Sequence, residues 1–462
     1  MKSFGFPLII SGFVILFMGS LTGYYVLEGQ LEEGSVTEFA SRSESSTKAS
    51  LSAEDRKLED SKITTKVDKV PDEPSALFND PAINQAWGLK KTDAARAWSV
   101  SQGSRSIVVA VIDTGIDIKH EDLKENLWLN AGETGNDSKG KDKSKNGVDD
   151  DNDGFVDNVY GWNFVSNNHD LTDNHGHGTH IAGIIGAVAG NNKGISGIAP
   201  HVSLMILKYY DPKVPNTDNL KNTIKAFRYA VAHGANIINY SGGGLEFSQD
   251  EHDAVKEAQE RGILVVAAAG NERSNSDVHH YYPADYKLSN IISVTAFDPT
   301  VEVLPSSNWG TETVDIAAPG QNILSTLPNN AYGYMTGTSQ ATAFVSGAAA
   351  LVMAHRQFFK ADDVKKYVLS TGDAMSSLSA KTRTSRKLNL YKSLTILDSG
   401  VSATGVMAEN GDGEQSFTSD PKAALKATGK SNINSFGKSL MDAVKAPPQK
   451  QRLANDPKEK GL

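Results

Sequence analysis

The chain has no cysteine in its 462 residues. That excludes disulfides, thiolate metal sites and a thiol nucleophile together. Any cross-linking of the fold must then come from something else, such as a bound metal ion. A net positive charge is also missing: 46 Lys and Arg stand against 55 Asp and Glu, a formal charge of −9. Such a chain lacks the basic field that non-specific nucleic-acid binding needs, so no nucleic-acid partner is expected. Hydrophobic residues are few for a globular protein, 39%, which points to polar segments around an ordinary core. No internal repeat is visible. Long apolar runs are absent save one, "FGFPLIISGFVILFMGSLTGYYVL" at 4–27, which carries no charge.

That run is long enough to span a bilayer. Lys2 precedes it and Glu28, Glu32 and Glu33 follow, an asymmetry that keeps the N-terminus inside and exports the rest. Residues 1–28 therefore read as a membrane anchor or a signal peptide, and the protein as exported, either held at the cell envelope or secreted. Residues 29–76 are rich in Ser, Glu, Lys and Asp; they read as a polar linker or pro-segment, because they cannot bury enough surface to offset their ordering entropy. Residues 399–462 read as a low-complexity, disordered tail.

Between these lies one block, 77–398. "SIVVAVI" (106–112), "VSLMIL" (202–207), "ANIINY" (235–240), "GILVVAAA" (262–269) and "NIISVTA" (290–296) are short and apolar on both faces, as strands of a covered parallel sheet are. Helical patterns alternate with them. In 218–234, Leu220, Ile224, Phe227 and Val231 define one apolar face and Gly234 a stop; 248–262 begins at a capping Ser248 and ends at Gly262. The pattern predicts an α/β fold of three layers, a mostly parallel sheet flanked by helices, with its ligand site beyond the carboxyl ends of the strands.

Four chemically suggestive residues fall at such ends. Asp113 closes the first strand. His177 lies in "HGHGTHIAG" (175–183), at a helix entry. Ser339 follows a Gly-Thr turn and opens an apolar helix, where the helix dipole favours an attacking oxygen. Asn271 ends "AAAGN". Each alone has a plain structural reading as a cap or turn residue. The cluster His175, His177 and His180, with Asp170 and Asp173 nearby, also admits a zinc site, although it lacks the Glu of H-E-x-x-H. The order Asp, His, Ser is one of the known orders of a hydrolytic triad.

"VIDTGID", "HGTHIAG", "GTSQATAFVSG" and "AAAGNE" together resemble the motifs of the subtilisin-like serine proteases, and the likeness extends over about 85–397. The resemblance implies a subtilisin-like fold and a serine endopeptidase. It makes Ser339 the nucleophile, His177 the general base and acid, and Asp113 the residue that orients the imidazole. Asn271 and the Ser339 backbone N–H would form the oxyanion hole. It also implies that a polypeptide substrate binds extended beside Ser241, Gly242 and Gly243. Tyr281 would stand where some relatives have glycine, shortening the pocket for the residue before the scissile bond. A monomer is expected. The rival readings are an inactive binding module on the same fold and a zinc-dependent hydrolase.

An acidic insert, "KNGVDDDNDGFVDNVYGWNF" (145–164), lies between the Asp and His motifs. Asp149, Asp151, Asp153 and Asp157 occupy positions one, three, five and nine of a calcium-loop pattern, with Gly154 at six. Position twelve is Tyr160, so the usual bidentate Glu is missing. A structural Ca2+ is the expected cofactor.

Overall fold

Valine, isoleucine and alanine runs that have no polar face must be covered on both sides, and all five become neighbouring strands of one sheet. In the computed structural model the described residues are 71–396, together with the backbone of three short strands at Val401–Ser402, Gly405–Glu409 and Gln415–Thr418. The chain divides into two units, 1–67 and 68–462. The first of these, with the apolar run at 4–27, lies outside the described residues, as does most of the expected tail. Among the described residues no helix is long and apolar enough to cross a membrane.

The main strands are β1 (Gly103–Asp113), β2 (Gly161–Asn163), β3 (His201–Lys208), β4 (Ile237–Tyr240), β5 (Leu264–Ala268), β6 (Ile291–Phe297) and β7 (Ile316–Pro319). A hairpin of β8 (Ile323–Leu327) and β9 (Ala331–Met335) stands apart, and β10 (Asp373–Ala374) and β11 (Arg386–Lys387) complete the edge. The nine-stranded order is β10-β11-β7-β6-β5-β4-β1-β3-β2, parallel except for the β10–β11 pair. From β1 the chain builds outward on one side through β3 and β2, and on the other through β4 to β7. The crevice at the carboxyl ends of β1 and β4 is therefore the topological switch point, where ligands of such sheets bind.

Alternation along each strand feeds two cores. Val109, Val111, Ile237, Leu264 and Val266 face one; Ala110, Ile112, Ile238, Val265 and Ala267 face the other. The first face is covered by α3 (His177–Gly186) and α6 (Thr338–His355), the second by α4 (Asn219–Ala232) and α5 (Gln249–Glu260). The remaining helices, α1 (Trp87–Lys91), α2 (Ala94–Trp98), α7 (Ala361–Ser370) and α8 (Leu390–Thr395), lie toward the ends of the block. Ser248 caps α5 as expected, its hydroxyl accepting from Glu251 N–H at 3.3 Å. The apolar face expected for α4 is realised at Ile224 and Phe227, but Leu220 is 44% exposed. Periodicity sets the direction of a helical face without setting how far along the helix a partner reaches. Helix α6 is buried on every side from Thr338 to Met353 and crosses β1 and β4 to β7, which places its first turn over the crevice.

Candidate active site

Asp113 is buried at the last position of β1. The loop leading to α3 ends at Gly176, whose φ of 94° lies in the left-handed region, and His177 is the first helical residue. Its Nδ1 lies 2.7 Å from Asp113 Oδ1, which also accepts the Thr114 N–H at 2.8 Å. The approach depends on the next residue. A Cβ on Gly178 would stand 2.2 Å from the Gly115 carbonyl oxygen, so a larger residue would hold the helix away from the strand. Burial works against a charged His177. The Asp113 carboxylate, by charge and by hydrogen bond, and Asp173, by charge, outweigh that and raise its pKa above the ordinary histidine value.

Ser339 is the second residue of α6 and is buried against the β4 end. Its hydroxyl donates to the Ser241 carbonyl (2.9 Å), and the Ser241 hydroxyl donates back to the Ser339 carbonyl (3.2 Å). Buried Asn239 supports the pair, donating to Ser241 Oγ (3.0 Å) and accepting from Ser346 (2.8 Å). In this resting arrangement the Ser339 proton is directed at Ser241 and not at the imidazole. Asn271 lies beside the same turn. Its Oδ1 accepts from Thr338 N–H (3.0 Å) and Thr338 Oγ1 (3.2 Å), and its Nδ2 has no acceptor among the described residues.

Gly242 and Gly243 follow Ser241 without side chains, and Gly244 pairs in both directions with Tyr282 (2.8 and 2.9 Å). The Tyr281 ring fits between two glycines: a Cβ on Gly243 would stand 2.4 Å from its Cε1, and one on Gly270 2.9 Å from its Cδ2. The ring thus occupies the space between the ends of β4 and β5, beside Asn271.

The other two histidines take different places. His180 is fully buried, and its Nε2 faces the carbonyls of Ile323 (3.0 Å) and Gly333 (3.2 Å), tying α3 to the β8–β9 hairpin. Burial pushes its pKa down to about 3, so it is a neutral donor. His175 is exposed, its ring 6.1 Å from that of His177 and 6.4 Å from Tyr210. The histidines do not converge on a metal: among the described residues the one group able to hold an ion is Glu133, Asp149 and Asp151, whose ligand atoms lie within 4.8 Å of one another.

Two members of the expected calcium set are thus brought together and two are not. Asp153 is turned to His233 Nε2 (2.7 Å), Asn158 Nδ2 (2.8 Å) and Phe155 N–H (2.7 Å). Asp157 accepts from Gly147 N–H (3.2 Å). Glu133 takes their place. It is fully buried, its carboxylate accepting from Asp150 and Asp157 N–H (2.6 and 3.2 Å), and burial raises its pKa. No local pattern marks Glu133, because it joins the loop from 16 residues before Asp149 by folding alone.

A buried carboxylate behind an imidazole and a serine at a helix N-terminus, gathered at the carboxyl edge of a parallel sheet, define a hydrolase-like α/β protein. The chain belongs to the subtilase family: that family's sequence model matches residues 104–417. It is 33% identical over 330 residues to the thermophilic serine proteinase of Bacillus sp. (strain AK1), covering 70% of this chain and 72% of that one. With the major intracellular serine protease of Bacillus subtilis (strain 168) it shares 37% over 272 residues, 58% of this chain and 75% of the other. Subtilisin-like protease 2 of Plasmodium falciparum is 34% identical over 330 residues, but the match spans only 22% of that protein. A solved structure of a protease from Pseudoalteromonas arctica PAMC 21717 shares the fold, with a TM-score of 0.53 and 24% identity over 69% of this chain and 98% of that chain.

Proposed function

We propose that the protein is a serine endopeptidase that cleaves peptide bonds through an acyl-enzyme. The observation that carries this reading is the 2.7 Å bond between His177 Nδ1 and buried Asp113. With Nδ1–H held by a carboxylate, Nε2 carries the lone pair and can act as a base. Ser339 Oγ, released from Ser241, attacks the substrate carbonyl and passes its proton to Nε2. Asp113 supports the imidazolium that forms. The Asn271 Nδ2 and the Ser339 N–H receive the negative charge that develops on the carbonyl oxygen. His177 then protonates the leaving amine, and water repeats the sequence to free the acid. A fluorophosphonate probe should label the parent protein and not Ser339→Ala. An unlabelled parent would favour the binding-module reading, and loss of hydrolysis to a zinc chelator without labelling would favour a zinc hydrolase.

Substrate binds extended, its backbone pairing beside Ser241, Gly242 and Gly243, where the missing side chains of the two glycines leave backbone groups accessible. The Tyr281 ring limits the depth available to the residue before the scissile bond, so small or medium side chains fit there. A peptide-library profile should show that preference and Tyr281→Gly should extend it to large residues; a Phe or Leu preference in the parent would refute it.

Glu133, Asp149 and Asp151 suit a hard cation: three carboxylates converge from two segments, the acid set that Ca2+ takes up. We read Ca2+ here as structural and not as a participant in catalysis. The protein acts as a monomer outside the cytoplasm, tethered by or freed from its apolar N-terminal segment.

A further inference from the structure

Five hydrogen bonds converge on a buried carboxylate four residues ahead of His177. Asp173 Oδ1 accepts from the Thr114 hydroxyl (2.8 Å), His175 N–H (3.0 Å) and Gly176 N–H (2.8 Å). Its Oδ2 accepts from the N–H (2.9 Å) and the hydroxyl (2.7 Å) of Thr179. All of these donors are neutral amides or hydroxyls. Burial opposes the charge on Asp173, yet the bonds from Thr179, Gly176 and Thr114 hold its pKa below the ordinary carboxylate value.

Each threonine hydroxyl has a second task. A hydroxyl has one proton to give, and here both protons go to Asp173. The oxygens are left to accept: Thr114 Oγ1 from Gly178 N–H (2.9 Å), Thr179 Oγ1 from Asp117 N–H (3.1 Å). Thr114 directly follows Asp113, and Gly178 directly follows His177. The Thr114–Gly178 bond therefore spans the same gap as the Asp113–His177 bond, one residue further along each chain segment. Asp173 also takes the Thr179 N–H, one of the unpaired donors in the first turn of α3, where negative charge is favoured.

We propose that Asp173 is a positioning residue: it fixes the direction of the Thr114 and Thr179 hydroxyls, and through them holds Asp113 and His177 in register. Its charge lies behind the imidazole as a second anion. The titratable groups around His177 are Asp113 at the β1 end, Asp173 and His175 in the preceding loop, neutral His180 on α3, and Tyr209 beyond β3, near Asp113. Asp173 and Asp113 are the anions among these that raise the His177 pKa. Removing the Asp173 charge must therefore lower it.

The kinetic consequence rests on the protease reading; the titration does not. In Asp173→Asn, kcat should fall about 10- to 100-fold, the range for loss of alignment at a reacting centre. KM should change little, and the acid limb of kcat/KM should move to lower pH. By NMR, in a Ser339→Ala background that prevents self-cleavage, adding Asp173→Asn should make the His177 imidazole titrate at lower pH than it does with Asp173 in place. Thr114→Val keeps the carboxylate but removes its link to Gly178; kcat should fall and the His177 Nδ1 proton should exchange faster, while Thr114→Ser restores both. A folded Asp173→Asn with unchanged titration and kcat overturns the proposal. So does Thr114→Val with full kcat and an unaltered Nδ1 proton, which decides the matter if Asp173→Asn does not fold. If the parent fails to take the fluorophosphonate, the protease reading falls by itself and the two NMR measurements still decide the role of Asp173.

Discussion

His177 and His180 are one helical turn apart and are pushed in opposite directions. Carboxylates raise the pKa of the first, while burial lowers that of the second to about 3 against the pull of its two carbonyl partners. As the proposed base, His177 can take the serine proton only in its neutral form. Because its pKa is raised, kcat/KM should climb with pH along an acid limb whose midpoint lies above the ordinary value of about 6.5. A pH–rate profile with a midpoint below that ordinary value would contradict this. Asn271 gives a separate test. Its Oδ1 is held by Thr338, which aims the amide nitrogen without a competing partner among the described residues. Asn271→Ala should lower kcat by about 100- to 1,000-fold, the usual cost of one oxyanion donor, and leave KM nearly unchanged in steady-state assays.

The distance between β1 and α3 decides whether the Asp and His can meet. Gly178 sets it, because a Cβ there would press on Gly115 O at 2.2 Å and approach the Asp113 Cβ at 3.2 Å. Gly178→Ala should cost about 1–3 kcal/mol in urea unfolding, as overpacking does. It should cost more in kcat, since the helix start must retreat from the strand that carries Asp113. Full activity in a folded Gly178→Ala protein would show that the element spacing is not what aligns the site. The hairpin β8–β9 is held on the far side of α3 by His180, and by Ser325 and Thr326 hydroxyls donating to the carbonyls of His180 and Thr179, both at 2.7 Å. The helix is therefore fixed from both sides, by the sheet and by the hairpin.

Across the whole molecule, no covalent bridge joins distant segments, since the chain has no cysteine. The acidic loop at 149–157 is far in sequence from much of what it touches: Asp153 reaches His233, and Asn158, just after the loop, donates to the Tyr229 hydroxyl at 2.8 Å. An ion at Glu133, Asp149 and Asp151 would tie two further segments and relieve the repulsion among their carboxylates. Chelation of calcium should thus lower the melting temperature and shorten the lifetime against proteolysis, and Glu133→Gln should make both insensitive to added calcium. If the melting temperature and lifetime are the same with and without calcium, no structural ion is bound there.

Residue pattern by itself determined the fold class, because apolar runs covered on both faces have few solutions other than a parallel sheet between helices. It located all five strands of the inner sheet and put Asp113, His177, Ser339 and Asn271 at strand and helix ends, since each motif is local. The short strand Ile316–Pro319 and the hairpin at 323–335 have no comparable signal; their strands are short, and neighbouring elements supply their burial. Tertiary structure alone decided that the pKa values of His177 and His180 move apart, because that depends on carboxylates and burial brought from other elements. It replaced Asp153 and Asp157 with Glu133 in the acidic cluster, since carboxylates in a loop turn toward whichever donors the fold places near them. It also turned the Ser339 hydroxyl to Ser241, 98 residues away in the chain. A local motif can specify a reactive group; its direction and charge come from the field of the folded molecule.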